Sequence, residues 1–197
     1  MPWIAKRRAT RQTLYFKTSA DFRDWLEKNH AESEGIWLRI FKKHSHEKCL
    51  TYDEALDQAL CYGWIDGQKK PFDKLSWLQR FTPRRPKSGW SKINSQHVER
   101  LIKAEAMTPA GMEAVEAAKA DGRWEIAYAS SRNATPPEDF LKELSKNKKA
   151  NAFFKTLNKA NVYSIVYRLE TARKPETREK RMKMIVAMME QGKAFHP

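Results

Sequence analysis

Seven residues near the middle of the chain, Pro83-Arg84-Arg85-Pro86-Lys87-Ser88-Gly89, do most to limit the folds open to it. Two prolines and a glycine in so short a stretch remove backbone donors, fix φ and disfavour helix and strand alike. The hydrophobic pattern changes across them. Before the break, strand-like and helix-like segments alternate. After it, apolar residues recur at helical spacing to the end of the sequence. The chain therefore reads as two stretches of different character joined by an ordered loop or linker.

In the first stretch, Leu14-Tyr15-Phe16 is a short apolar run with the look of a strand. Ser19 is placed to cap a helix, and Phe22, Trp25 and Leu26 then form one buried stripe. Ile36-Trp37-Leu38-Arg39-Ile40-Phe41 is apolar on both faces, which predicts a central strand. Thr51 followed by Glu54 is a capping-box signature, and the helix behind it carries Ala55, Leu56, Ala59 and Leu60 and stops at Gly63. Trp64-Ile65 opens another strand, Asp66-Gly67 marks a turn or bulge, Pro71-Phe72-Asp73-Lys74 is a second turn, and Ser76 to Thr82 returns.

Beyond the break, helices are expected over about 91–105, from Thr108-Pro109, from Thr135-Pro136, around Phe153, Phe154 and Leu157, around Val162, Ile165, Val166 and Leu169, and from Pro175 to Gly192. The expected fold is α+β: a basic flexible tail over 1–13, an α+β lobe over 14–86 with a small sheet and two helices, and a helical lobe over 87–197. Seven Trp, nine Phe and six Tyr are enough for a real core despite a mean hydropathy of −0.79.

Charge is unevenly spread. Of the net +14, residues 1–20 supply +5, residues 21–73 supply −3 and residues 74–197 supply +12. Such a balance favours anionic partners, a small molecule or a nucleic acid, against the plainer alternative of a solvated basic surface. There is no apolar run long enough for a membrane span and no secretory leader pattern behind Met1, so a cytoplasmic protein is expected. Cys49 and Cys61 form no disulfide framework, and free thiols in a reducing compartment are the simplest reading.

Motifs for catalysis are sparse. His44-x-His46 lies beside Glu47 and Cys49 but lacks the four oriented ligands of a metal site, and no cofactor motif is present. Cys61 ends an amphipathic helix, where a buried thiol is commoner than a nucleophile. The strongest chemical signal is basic. Residues 79–103 hold Arg80, Arg84, Arg85, Lys87, Lys92, Arg100 and Lys103 against the single acid Glu99, with Phe81 and Trp90 interleaved. Guanidinium forks suit phosphate oxygens, and rings suit stacking. The competing reading pairs these arginines with Asp53, Asp57 and Asp66. The lysines at 142, 146, 148, 149, 155 and 159 read as a solubilising surface.

Five separated stretches are too particular for composition: Ala59-Leu60-Cys61-Tyr62-Gly63-Trp64-Ile65-Asp66-Gly67, the run from Arg80-Phe81-Thr82 to Ser91-Lys92-Ile93-Asn94, Met107-Thr108-Pro109-Ala110-Gly111, Asp121-Gly122-Arg123-Trp124 and Glu176-Thr177-Arg178. Together they resemble the YdeI/OmpD-associated, or bacteriocin-protection, family over nearly the whole chain from about residue 14. Lys103 to Met107 departs from the Gly-Arg-Met type of turn expected there. The resemblance implies a bacterial stress-response protein that protects against antimicrobial peptides, with no settled activity. A chain of charge +14 repels a cationic peptide, so protection would be indirect.

The expected ligand site lies where the break meets Trp64 to Gly67. Arg80, Arg84, Arg85 and Lys92 would contact an anion, Trp64 and Trp90 would form a wall, Ser91 and Asn94 would donate hydrogen bonds, and Asp66 would orient the arginines. The leading reading is a non-enzymatic binding protein. The alternatives are an enzyme acting on a small anionic substrate through Asp66 or Cys61, and a nucleic-acid binder.

Overall fold

A computed structural model describes residues 12–47, 49–128, 134–172 and 174–197. The proposed tail over 1–13 lies outside these residues as far as position 11, and Thr13 already belongs to a strand. The fold is α+β. By its internal contacts the chain forms two compact units: one runs up to Ser88 and includes His97–Ala120, and the other comprises Gly89–Gln96 and Asp121–Pro197.

In the first unit, β1 (Thr13–Leu14), β2 (Ile36–Phe41), β3 (Trp64–Pro71) and β4 (Ser76–Pro83) form a mixed sheet in the order β1-β2-β4-β3. β1 runs parallel to β2, and β4 is antiparallel to both of its neighbours. β2 is interior, as its apolar sequence predicts. Helices α1 (Ser19–Asn29) and α2 (Tyr52–Cys61) cover the sheet face that carries Ile36, Leu38, Ile40 and Phe81. Phe22 of α1 packs on Phe81 at 5.9 Å, and Trp25 meets Trp64 edge-on at 5.8 Å.

Both helices start on a complete capping box. α2 uses Thr51 and Glu54 as its sequence signals. α1 uses Thr18 and Asp21, one residue before the expected Ser19, because Thr18 is the residue whose hydroxyl meets the Asp21 N–H. α4 (Pro109–Ala120) docks on the end of α2. Thr108 donates both its N–H, at 3.1 Å, and its hydroxyl, at 2.6 Å, to the Cys61 carbonyl, so an orphan C-terminal carbonyl of α2 is satisfied by the residue that caps α4. A Cβ at Gly111 would overlap that same carbonyl.

α3 (Lys92–Lys103) has its first five residues in the second unit and the remainder in the first. In the first unit, Asp57 of α2 holds His97 at 2.7 Å and Arg100 at 2.6 Å.

The second unit holds α5 (Glu138–Ser145), α6 (Lys148–Phe154), α7 (Lys159–Glu170) and α8 (Pro175–Glu190) around Phe140, Leu144, Ala150, Ile165, Leu169, Ile185 and Met189. Pro175 stands in the first turn of α8, as expected, since its missing N–H costs nothing there. α8 also closes the end of α7: Arg178 donates to the Leu169 carbonyl and Arg181 to the Arg168 carbonyl, each at 2.6 Å. Among the described residues, no helix is long and apolar enough to cross a membrane.

Candidate functional site

The structure distributes the sequence-predicted site residues over both units. Trp64, Asp66, Arg80, Arg84 and Arg85 belong to the first; Trp90, Ser91, Lys92 and Asn94 belong to the second. β3 and β4 pair Trp64 with Pro83, Ile65 with Thr82 and Asp66 with Phe81, so two of the five motifs are neighbouring strands. Their side chains divide between the faces of the sheet. Directly opposed residues share a face, and successive residues alternate. Asp66 therefore lies with Phe81 on the helix-covered face, while Arg80 lies with Trp37 on the other. Asp66 does not orient Arg80. Its carboxylate accepts the Tyr52 hydroxyl at 2.8 Å. Burial, and then the Asp66 charge, hold that phenol well above its usual range, so Tyr52 stays protonated as the donor.

The two tryptophans proposed as a wall are core residues, Trp64 at 1% and Trp90 at 2% exposure. Trp64 donates its indole N–H to the His30 carbonyl at 3.2 Å. Trp90 packs against Trp124 at 4.9 Å, and Phe81 is buried as well. Ser91 caps α3 by accepting the Asn94 N–H at 3.2 Å, and Asn94 is buried. Arg84 reaches the Ser88 hydroxyl at 3.3 Å, while Arg85 and Lys92 are exposed. Cys61 is fully buried, and burial pushes its thiol up, the reverse of what a nucleophile needs.

What the strands do assemble is a cation–aromatic surface around the β3–β4 hairpin. Lys69 is opposite Gln79, Lys70 opposite Leu78 and Pro71 opposite Trp77. The register shifts between Asp66 and Lys69, and the buried Gln79 amide holds that irregularity by donating to the Gly67 carbonyl at 3.0 Å. At the turn, the Asp73 carboxylate accepts the Leu75 N–H and the Ser76 hydroxyl, both at 2.8 Å, and pairs with Arg39 at 2.7 Å. The Ser76 hydroxyl is the main reason its carboxyl sits below the usual range.

So fixed, the hairpin carries Lys69 over the Trp77 ring at 4.6 Å and Lys70 over the Trp37 ring at 4.2 Å. Arg39 lies between Phe41, at 4.4 Å, and Phe72, at 4.9 Å. On one side of this surface a groove of about 580 Å³ is lined by Lys42, Lys69, Lys70, Pro71, Ser76 and Trp77. Its lining includes three lysines and, among the described residues, no acid. The Trp77 indole N–H is buried and meets no acceptor among the described residues. Buried donors are rarely left so. Lys42 is anchored by donating to the Lys74 carbonyl at 2.9 Å.

Sequence reasoning misses this surface because averaging the charge over residues 21–73 conceals it among eleven acids. The available signal is Lys69-Lys70-Pro71 just before a turn. Adjacent strand residues face opposite ways, so each lysine can only meet a ring on its own face.

A family model described as Domain of unknown function (DUF8412) matches residues 14–114. The chain belongs to that family. A second model, described as Bacteriocin-protection, YdeI or OmpD-Associated, matches residues 133–192, which supports the resemblance over that part of the chain. Of the five motifs, Glu176-Thr177-Arg178 falls within the second match, three fall within the first, and Asp121-Gly122-Arg123-Trp124 falls in neither. Neither a curated protein nor a solved structure matches the chain.

The motif residues that the structure explains have structural roles. Thr108 and Gly111 dock α4 on α2. Arg178 divides its fork between Asp139, at 2.8 Å, and the Leu169 carbonyl.

Proposed function

We propose that this protein binds an anionic ligand without transforming it, and that the hairpin groove of the first unit is the binding site. The observation that carries this reading is the groove's composition: Lys42, Lys69 and Lys70 line it with no acidic residue among the described ones, beside an indole N–H without an acceptor among the described residues. Three lysines around one sheet edge with no acid beside them leave a positive local potential, which favours an anion.

The match over residues 133–192 connects the chain with bacteriocin protection. A net charge of +14 disfavours capture of a cationic peptide. On this reading, protection by this chain runs through an anionic partner, and the protein acts as a stress-response factor of the cytoplasm.

The test uses the full chain and inorganic polyphosphate, with calorimetry over a salt series. The expected result is binding that weakens as salt rises. Lys69→Glu/Lys70→Glu should lower affinity by more than about tenfold, the effect of losing two phosphate contacts and gaining two repulsive charges. Lys148→Glu/Lys149→Glu makes the same change in net charge within the second unit and should have little effect. Equal losses in the two variants would mean that only net charge matters, and would overturn the site.

A further inference from the structure

Three cations of the hairpin surface are paired with aromatic rings, which goes beyond what a simple anion requires. Lys69 with Trp77, Lys70 with Trp37, and Arg39 with Phe41 and Phe72 give four rings and three cations on the sheet made by β2, β4 and β3. The pairs lie on both faces. Trp77 shares a face with Lys69, and Trp37 shares the opposite face with Lys70, as the register dictates. Phe72, at the hairpin tip between them, is 52% exposed. The one acid at the tip, Asp73, is already neutralised by Arg39. Resting on the proposed anion-binding role, we infer that the ligand is single-stranded nucleic acid, with phosphates on Lys42, Lys69 and Lys70 and bases stacking on Trp77 and Phe72.

The chemistry favours this ligand over a ringless polyanion. Phosphates alone would be served by lysines on any surface, as in the second unit. Rings beside the cations add a contact that only a ring-bearing ligand can use, and base stacking tolerates any sequence because every base has a π-face. A duplex hides those faces within its own stack, so it gains the charge term only.

The experiment is intrinsic tryptophan quenching of the full chain by three ligands in the same buffer. They are an oligothymidylate of about fifteen nucleotides, an abasic oligomer with the same number of phosphates, and inorganic polyphosphate. Wild-type protein should bind the oligothymidylate at least about tenfold more tightly than the abasic strand, the effect of one or two stacked bases. Its affinity should fall with salt at a slope of about −0.7 per phosphate contacted. Phe72→Ala, at an exposed turn where folding is not at risk, should remove part of the preference and leave polyphosphate binding unchanged.

Equal affinity for the thymidylate and abasic strands would overturn the inference while leaving the anion-binding reading intact. No binding to any of the three would overturn both.

Discussion

Glu105 is a side chain in a backbone position that favours glycine. It has φ +53° and comes after α3. Around it the Ala106 N–H reaches the Leu101 carbonyl and the Glu105 N–H reaches the Ile102 carbonyl, the two bonds of a Schellman stop. This is the stretch where the sequence departs from the Gly-Arg-Met type of turn. The left-handed conformation costs an L-residue about 1–2 kcal/mol, so Glu105→Gly should raise stability by about 1 kcal/mol in urea unfolding, even though it removes a side chain. Gly111 is the opposite case. Any Cβ there meets the Cys61 carbonyl, which is backbone and already holds Thr108. Gly111→Ala should cost about 3 kcal/mol in the same assay. The thiols provide a third test. Cys61 is buried with its acidity suppressed, whereas Cys49 is partly exposed. A thiol reagent should label Cys49 in the folded protein and reach Cys61 only in denaturant; rapid labelling of both would contradict the burial of the end of α2.

At the scale of elements, legibility tracks locality. Thr51 with Glu54, Pro109 behind Thr108 and Pro175 at the head of α8 mark helix starts through atoms three or four residues apart, and those starts can be read directly. The strands can be read too, but not which residues face one another across them. Lys70 meets Trp37 only because a four-residue turn and a shift near Gly67 set the register, and no local pattern reports that. Nor does sequence separate a tryptophan that lines a site from one that fills a core, which is why Trp64 and Trp90, expected as a wall, are core residues instead. The link between α2 and β3 is equally hidden, and it makes a pH prediction. Tyr52 has its folded-state pKa raised, so its contribution is fully present below the unfolded value of about 10 and is lost as pH rises above it. The wild type should lose stability in alkali above pH 10. Tyr52→Phe should be less stable at neutral pH by about 1–3 kcal/mol, from the lone Asp66 carboxylate, but should show a flatter alkaline decline. Parallel declines in the two proteins would place the alkaline sensitivity elsewhere.

At the scale of the whole molecule, the break at Pro83–Gly89 separates two kinds of pattern, but the compact units do not keep to the order of the chain. His97–Ala120 groups with the sheet. The family matches divide in nearly the same way, 14–114 on one side and 133–192 on the other. The physical reason is that α2 is unfinished without residues from beyond the break. Asp57 needs His97 and Arg100 as counter-charges, and the Cys61 carbonyl needs Thr108. None of these contacts can be read from strand-like or helix-like patterning, because each joins residues at least forty positions apart. A fragment ending at residue 88 keeps the entire sheet yet leaves a carboxylate and a helix-end carbonyl without partners and the Val98, Leu101 and Val115 side chains missing from the core. Burying three aliphatic side chains of that size is worth about 5–9 kcal/mol, comparable with the whole stability of a small domain. A fragment ending at residue 120 restores all of them. The 1–120 fragment should therefore unfold cooperatively in urea with dispersed amide resonances, and the 1–88 fragment should show neither. A cooperatively folded 1–88 fragment would mean that the sheet and its two helices are sufficient, and that His97–Ala120 is an addition to the unit rather than part of its core.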